Sequence, residues 1–225
     1  MGDNLPQSAA AVAIGLADRI DTLVGLFSVG VRPSGAADPW GLRRSALSLI
    51  QLLLGKEISL ALPEAFSLAA EALPVAVGEE ALRETLDYVQ KRYRGYLLDN
   101  GYRYDLVDAV LAERGYDPYL ALQTLKGLIP WTEREDWDEL LDTYARCVRI
   151  TRDQPQTYPI DSALLAEPAA QSLYEAARAA NAAVAADRTA EGLMRALVEI
   201  KPAIRRFFTD SLVMSDDLAV RQTRL

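Results

Sequence analysis

Apolar residues recur at intervals of three and four along almost the whole chain, which is the spacing of one face of an α-helix. Clear stripes of this kind occupy residues 12–27, 82–97 and 137–148. No segment alternates apolar and polar residues for long enough to require a strand, and no two-residue hairpin signal joins two such segments. The pattern therefore predicts an all-α fold, a multi-helix bundle of about ten helices.

Capping residues predict where several of these helices begin. Asp38-Pro39 predicts an N-cap followed by proline at the first helical position. Asp105 is predicted to cap the helix that follows it. Thr132 and Glu135 have the spacing of a capping box, with the threonine at the N-cap and the glutamate at N3.

Breaks in the pattern suggest how the chain is organised. Candidate boundaries fall near residues 55–63 and 74–80, and we divide the chain into residues 1–60 and residues 61–225. The last pair of predicted helices lies around Pro202 and Ser215, because proline interrupts a helical stripe. We find no internal repeat.

Composition excludes most catalytic chemistry. The 225 residues include no histidine and one cysteine, Cys147. Catalytic Ser-His-Asp or Cys-His sets, histidine-ligated metals and structural zinc sites are therefore excluded. Cys147 lies in an apolar stripe, which predicts a small core residue. There is no glycine-rich phosphate loop. We expect no catalytic residue, metal or cofactor in this chain.

Location follows from the same composition. A single cysteine cannot form an internal disulfide, which suits a reducing cytoplasm. Residues 1–7 lack the basic start of a signal peptide, and no apolar run is long and uncharged enough to cross a bilayer. The sequence predicts a cytoplasmic protein without a membrane segment.

Because the net charge is negative, the positions of the basic residues say more about nucleic-acid binding than their number does. There are 24 Lys plus Arg against 32 Asp plus Glu, which gives a net charge of −8. Such a protein binds nucleic acid only through local basic patches, because screening limits repulsion from charges beyond about 8 Å at physiological salt.

Four groups of residues have the composition that single-stranded RNA requires, namely arginine and tyrosine close together with basic residues for phosphate. They are Arg43 and Arg44; Lys91, Arg92, Arg94, Tyr96, Tyr102 and Arg103; Arg146, Arg149 and Arg152; and Lys201, Arg205 and Arg206, with Arg221 and Arg224 beyond. Each group could instead be a solvated helix face whose cations pair with nearby acids. Asp142, for example, has the i,i+4 spacing to pair with Arg146. Tyr93 lies on an apolar stripe and is predicted to be core.

Several short motifs occur in one order along the chain: Gly2–Pro6, Ala17–Phe27, Asp38-Pro39, Leu42–Leu47, Arg92–Tyr96, Gly101-Tyr102, Ala109–Ala112, Phe207-Phe208 and Asp216-Asp217. Together they resemble the β subunit of bacterial glycyl-tRNA synthetase. The resemblance implies the C-terminal part of that subunit: the end of an HD-like domain, a helical body, and an anticodon-binding domain similar to that of arginyl-tRNA synthetase.

The same resemblance implies a function and partners. The chain is expected to be the tRNA-binding, anticodon-recognition portion of a glycine–tRNA ligase, with glycine-specific tRNA and the α subunit as partners. ATP and Mg²⁺ are implied for the whole enzyme at the α subunit, which holds the catalytic residues. Asp18 falls where the HD motif has its last metal-ligand aspartate, but the histidines of that motif would precede residue 1.

Two other functions stay open at this point. The chain could be a helical scaffold or subunit-docking module that does not read RNA, and a homo-oligomer is compatible with either function. It could also be a truncated HD phosphohydrolase, which the absence of histidine disfavours because such sites are built from histidines.

Overall fold

The computed structural model describes residues 5–33, 38–154 and 156–225, and its regular structure in these ranges is entirely helical. This confirms the all-α prediction. The ten α-helices are α1 (Ala9–Ser28), α2 (Leu42–Gly55), α3 (Leu62–Ala72), α4 (Glu79–Asp99), α5 (Tyr104–Arg114), α6 (Pro118–Thr132), α7 (Trp137–Thr151), α8 (Pro168–Ala186), α9 (Ala190–Asp210) and α10 (Leu218–Arg224), with a 3₁₀ turn at Ser162–Leu164. None of the helices in these ranges is both long and apolar enough to cross a membrane.

Compactness divides the chain into an N-terminal unit, Met1–Lys126, and a C-terminal unit, Gly127–Leu225. The division falls within α6. The predicted domains, residues 1–60 and 61–225, were drawn from breaks in the sequence pattern and not from compactness, and they stay a prediction.

In the N-terminal unit, α1 packs against α2, α3 and α4, and α4 also packs against α5. The apolar stripes predicted from the sequence form the interior, where Leu23 of α1, Leu49 of α2, Phe66 of α3 and Val89 of α4 are all 0% exposed. Tyr93 is fully buried as predicted, and its hydroxyl donates to the Pro118 carbonyl at 2.7 Å. A buried hydroxyl needs such a partner, and this one joins α4 to the start of α6.

Asp38 caps α2, but from farther away than predicted. The helix begins at Leu42, after Gly41 with φ of +68°. The Asp38 carboxylate accepts from the backbone N–H of Leu42 at 2.8 Å and of Arg43 at 2.9 Å. The left-handed turn at Gly41 makes this reach available. The prediction of Pro39 as the first helical residue was therefore wrong, although the capping function of Asp38 was right.

Three further boundary predictions were wrong. Asp105 lies in the first turn of α5, after the N-cap Arg103. Thr132 ends α6, and its hydroxyl donates to the Ile129 carbonyl at 2.8 Å. Pro202 lies inside α9, which continues through it because α9 packs along both α7 and α8. The hydrogen bond that proline removes is outweighed by this packing.

The C-terminal unit is built around the pair α8 and α9. Many residues of α8 are alanine, which lets the two helices pack closely. Thr189 caps α9, and its hydroxyl oxygen accepts from the Gly192 N–H at 3.0 Å. The turn also brings the Asp187 carbonyl so close that any Cβ at position 192 would overlap it. A small buried cluster of Leu165, Ala170, Phe207 and Val213 completes the unit.

Candidate nucleic-acid interface

The two most exposed arginines predicted near the end of α4 are already paired. Arg94 donates to both carboxylate oxygens of Asp108, at 2.6 and 3.0 Å. Arg103 donates to both oxygens of Asp105, at 3.2 and 2.6 Å. These hydrogen bonds hold the pKa of each aspartate below its ordinary value. Arg94 and Arg103 therefore do not present free guanidinium groups.

Two predicted groups that are distant in sequence meet at Tyr88. The Arg92 guanidinium lies 5.4 Å from the Tyr88 ring centre, and Phe27 packs on the same ring at 5.4 Å. Burial raises the pKa of Tyr88, while the charges of Arg92 and Arg43 oppose that rise. Arg32 lies 4.4 Å over Phe27. We call these five residues the Tyr88 cluster.

The Tyr88 cluster is partly neutralised. Arg32 pairs with Glu84, and Asp38 acts on the Tyr88 hydroxyl from the capping position of α2. The contact of the Phe27 and Tyr88 rings joins α1 to α4, and Arg32 and Arg92 each lie over one of these rings. Sequence reasoning missed Tyr88, although its i,i+4 spacing to Arg92 was a usable signal.

No hydrogen bond or ion pair joins the remaining predicted residues of the N-terminal unit within the described ranges. Lys91 and Arg44 are exposed, and neither has a hydrogen-bond or ion-pair partner among the described residues. Tyr96 and Tyr102 are half-buried and both act on the hydroxyl of Tyr93, whose pKa is raised mainly by burial.

Arg146 differs from the other predicted cations of the C-terminal unit because it contacts an aromatic ring. It projects from α7, is exposed, and lies 4.5 Å over the ring of Phe208 on α9. It has no carboxylate partner within the ranges that the structure covers. The predicted pairing of Arg146 with Asp142 was wrong, because Asp142 pairs instead with Arg149 at 3.2 Å. Phe208 draws the Arg146 side chain toward α9.

Arg149 and Arg152 extend this surface along α7. Both are exposed. The pair between Arg149 and Asp142 is open to solvent on both sides, with the two side chains 57% and 68% exposed. Exposed pairs of this kind contribute little to stability, so a phosphate can replace the carboxylate. Arg152 has no partner in the described part of the chain. We call Arg146, Arg149, Arg152 and Phe208 the Arg146 surface.

The last predicted group is a paired network. Lys201 donates to Asp136 and to Glu139, each at 3.0 Å, and Arg205 pairs with Glu139. Hydrogen bonds from Arg134 and then Lys201 hold the pKa of Asp136 far below its ordinary value. Arg206 pairs with Asp210 at 3.2 Å. This network connects the start of α7 to α9 and leaves no free cation.

A cavity of about 750 Å³ lies inside the C-terminal unit. Residues from α7, α8, α9 and α10 line it, together with the segment after α7. Cys147 is half-buried at its wall, so it borders the cavity instead of lying in a packed core as predicted. Burial raises the pKa of its thiol.

Comparison of the amino-acid sequence with known proteins identifies relatives of this chain. The family described as "Glycyl-tRNA synthetase beta subunit" matches residues 1–112. A glycine–tRNA ligase beta subunit of Syntrophomonas wolfei is 32% identical over all of this chain, and one of Anaeromyxobacter dehalogenans is 33% identical over 99% of it. The chain belongs to the glycyl-tRNA synthetase beta subunit family.

Similarity extends beyond the bacterial subunits. A chloroplastic/mitochondrial glycine–tRNA ligase of Arabidopsis thaliana is 29% identical over the whole chain. The chain spans about a third of the length of the two bacterial relatives and 21% of the plant protein. The family match at residues 1–112 includes the Tyr88 cluster, whereas the Arg146 surface lies in the part covered by the individual relatives.

Proposed function

We propose that this chain is the tRNA-binding, anticodon-recognition portion of the beta subunit of a glycine–tRNA ligase. In this proposal the C-terminal unit serves as an anticodon-binding bundle of the type found in arginyl-tRNA synthetase. ATP, Mg²⁺ and the attachment of glycine belong to the α subunit, and the complex works in the cytoplasm. The beta subunit names of the relatives support the family part of this proposal.

The observation that carries the proposal is the stacking of Arg146 on Phe208. A guanidinium held over an aromatic ring without a carboxylate partner keeps N–H groups that can donate to phosphate or to a base. Stacking also limits the conformational freedom that the side chain loses on binding RNA. Arg149 and Arg152 continue the positive charge along the same helix.

The test is the binding of a glycine tRNA anticodon stem-loop, compared with the same stem-loop carrying a changed anticodon. We expect tighter binding of the glycine anticodon. Arg146→Ala should weaken binding by about tenfold and lower the slope of log affinity against log salt by about 0.7, because one phosphate contact is lost.

Arg195→Ala is the matched control. Arg195 is also an exposed arginine of the C-terminal unit, but it pairs with Asp187 at 3.2 Å and with Glu191 at 3.5 Å. Both substitutions remove one positive charge, so general electrostatics change equally. Equal effects of the two variants, or equal affinity for both anticodons, would contradict the proposed recognition.

A second function is favoured for the N-terminal unit by its exposed apolar side chains. Ile14, Leu68 and Trp40 are 70%, 67% and 63% exposed. We infer that this unit docks the α subunit, since its exposed arginines are largely paired. Leu68→Glu should then abolish co-elution with the α subunit and leave stem-loop binding unchanged. Retention of co-elution would remove this assignment, and self-association lost in the variant would indicate a homo-oligomer instead.

A further inference from the structure

The cavity of the C-terminal unit has an unusual lining for so acidic a chain. Leu173, Ile200, Ile204 and Phe207 form apolar walls. Its polar side chains are all neutral except one: Gln154, Gln156, Gln222, Thr151, Thr157, Thr223, Tyr158, Tyr174 and Arg224. Among the described residues, no Asp or Glu side chain lines it. Such a lining offers a cation no carboxylate side chain and suits a neutral ligand with polar edges.

The single charged side chain of the lining has an unused donor. Arg224 is 7% exposed and pairs with Glu167 at 2.8 Å, and it also donates to the Leu212 carbonyl at 2.8 Å. Its Nε–H is buried and has no partner among the described residues. Because this Nε–H is closed to a water-sized molecule, the neutral donors and acceptors of the lining, and not this N–H, are what the cavity offers a ligand.

The cavity and the Arg146 surface share a wall. Phe208, on which Arg146 stacks, lies 5.9 Å from Phe207 between ring centres, and Phe207 lines the cavity. An RNA strand whose phosphates are held by Arg146 and Arg149 would therefore pass close to the cavity.

We propose that this cavity receives one unstacked nucleobase of the RNA bound at the Arg146 surface. The inference rests on the proposed function. Amide side chains carry both donors and acceptors, which matches the mixed edge of a base, and tyrosine rings offer stacking faces. The volume accommodates a base with part of its ribose. A lipid chain would leave the three glutamines unpaired, and an anionic metabolite would find only one cation, already shared with Glu167.

Cys147 provides a direct readout because it is the only thiol of the chain and borders the cavity. The experiment measures its alkylation by iodoacetamide in the full chain, with and without the glycine tRNA anticodon stem-loop. A base in the cavity covers the thiol, so we expect alkylation to slow by about tenfold at saturating stem-loop. A stem-loop with an abasic nucleotide at the inserted position should give no protection, and should bind about tenfold more weakly.

Ala177→Leu is the matched protein variant, because Ala177 lines the cavity and a larger side chain there fills it. Filling should remove the affinity difference between the intact and the abasic stem-loop. Ala179→Leu, on the exposed side of α8, is its control and should retain the difference. Circular dichroism establishes that each variant is folded, and if Ala177→Leu is not, protection of Cys147 alone decides.

The outcomes separate this inference from the function on which it rests. Stem-loop binding with unchanged Cys147 alkylation, and with equal affinity for every abasic loop, overturns the cavity inference and leaves the RNA function standing. Absence of stem-loop binding overturns both. Protection that depends on one loop position supports both.

Discussion

The two units carry the same charge balance, but one predicted arginine group in each is held in a different way. Each has twelve Lys plus Arg against sixteen Asp plus Glu. In the N-terminal unit, Arg94 and Arg103 are held by two-point contacts to aspartates on the same or an adjacent helix. In the C-terminal unit, Arg146 is held by an aromatic ring instead. Equal net charge therefore gives no guide to which arginines are available to a phosphate.

The units also differ in how they are packed. The largest fully buried side chains, such as Tyr93, Phe66 and Leu53, all belong to the N-terminal unit. The C-terminal unit has a small buried cluster and the cavity of about 750 Å³. The first unit has the dense interior of a scaffold, whereas the second retains space that a ligand can occupy.

The largest expected effect on this comparison is a loss of stability when one buried aromatic ring is truncated in each unit. Phe66→Ala should lower the free energy of unfolding of the N-terminal unit by about 3–5 kcal/mol. Phe207→Ala should cost the C-terminal unit less, because one side of that ring already faces the cavity and has fewer contacts to lose.

Hydrogen exchange followed by mass spectrometry measures the two units separately within one chain. A loss at Phe207→Ala as large as that at Phe66→Ala would show that the two interiors are equally well packed. Ala179→Leu, an exposed change on α8, provides the baseline for the C-terminal unit.

A smaller effect concerns the network of Lys201 with Asp136 and Glu139. Because the pKa of both carboxyls is lowered in the fold, their stabilisation is complete above the ordinary carboxyl pKa of about 4 and is lost as pH falls below it. The pKa of Lys201 is raised, so its contribution is complete below about pH 10. Lys201→Met should therefore lower the melting temperature most at pH 6–8.

The measurement is the difference in melting temperature between wild type and Lys201→Met across pH. We expect the difference to shrink toward pH 3. Lys126→Met, at an exposed lysine without a described partner, should show no such pH dependence. A difference that is constant with pH would indicate that Lys201 acts through packing alone.

The smallest effect is expected at Arg94. Because Asp108 already occupies both ends of its guanidinium, Arg94→Ala should change stem-loop affinity by less than about twofold. Asp108→Asn releases the arginine and should instead increase affinity slightly. A loss at Arg94→Ala comparable with that at Arg146→Ala would place RNA on both units and remove the contrast between them.

The helical fold could be predicted well from periodicity, and the site only in part. The apolar stripe through Val89, Tyr93 and Leu97 predicted the position of α4 well, because in a long amphipathic helix the spacing of apolar residues is itself the signal. The start of α2 was harder to predict. The number of residues between Asp38 and the helix it caps depends on the left-handed turn at Gly41. Predictions about helix ends failed where a neighbouring element decided them.

The partners of the basic residues could not be read from spacing along one helix. Arg94 meets Asp108 on α5, and Arg146 meets Phe208 on α9. These contacts follow from how the helices pack, and side-chain spacing contains no direct record of that packing. Four similar-looking basic groups thus became two paired networks, one partly neutralised cluster and one open surface.

The turn between α8 and α9 has a consequence for how this chain tolerates replacement. Because Gly192 meets the Asp187 carbonyl where a Cβ would stand, even alanine forces the backbone of the turn apart. A saturation library scored for survival should return glycine almost alone at this codon, while neighbouring exposed positions such as Leu193 accept many residues. The turn that joins α8 to α9, two of the helices that line the cavity, would then depend on a glycine at position 192 that tolerates almost no substitution.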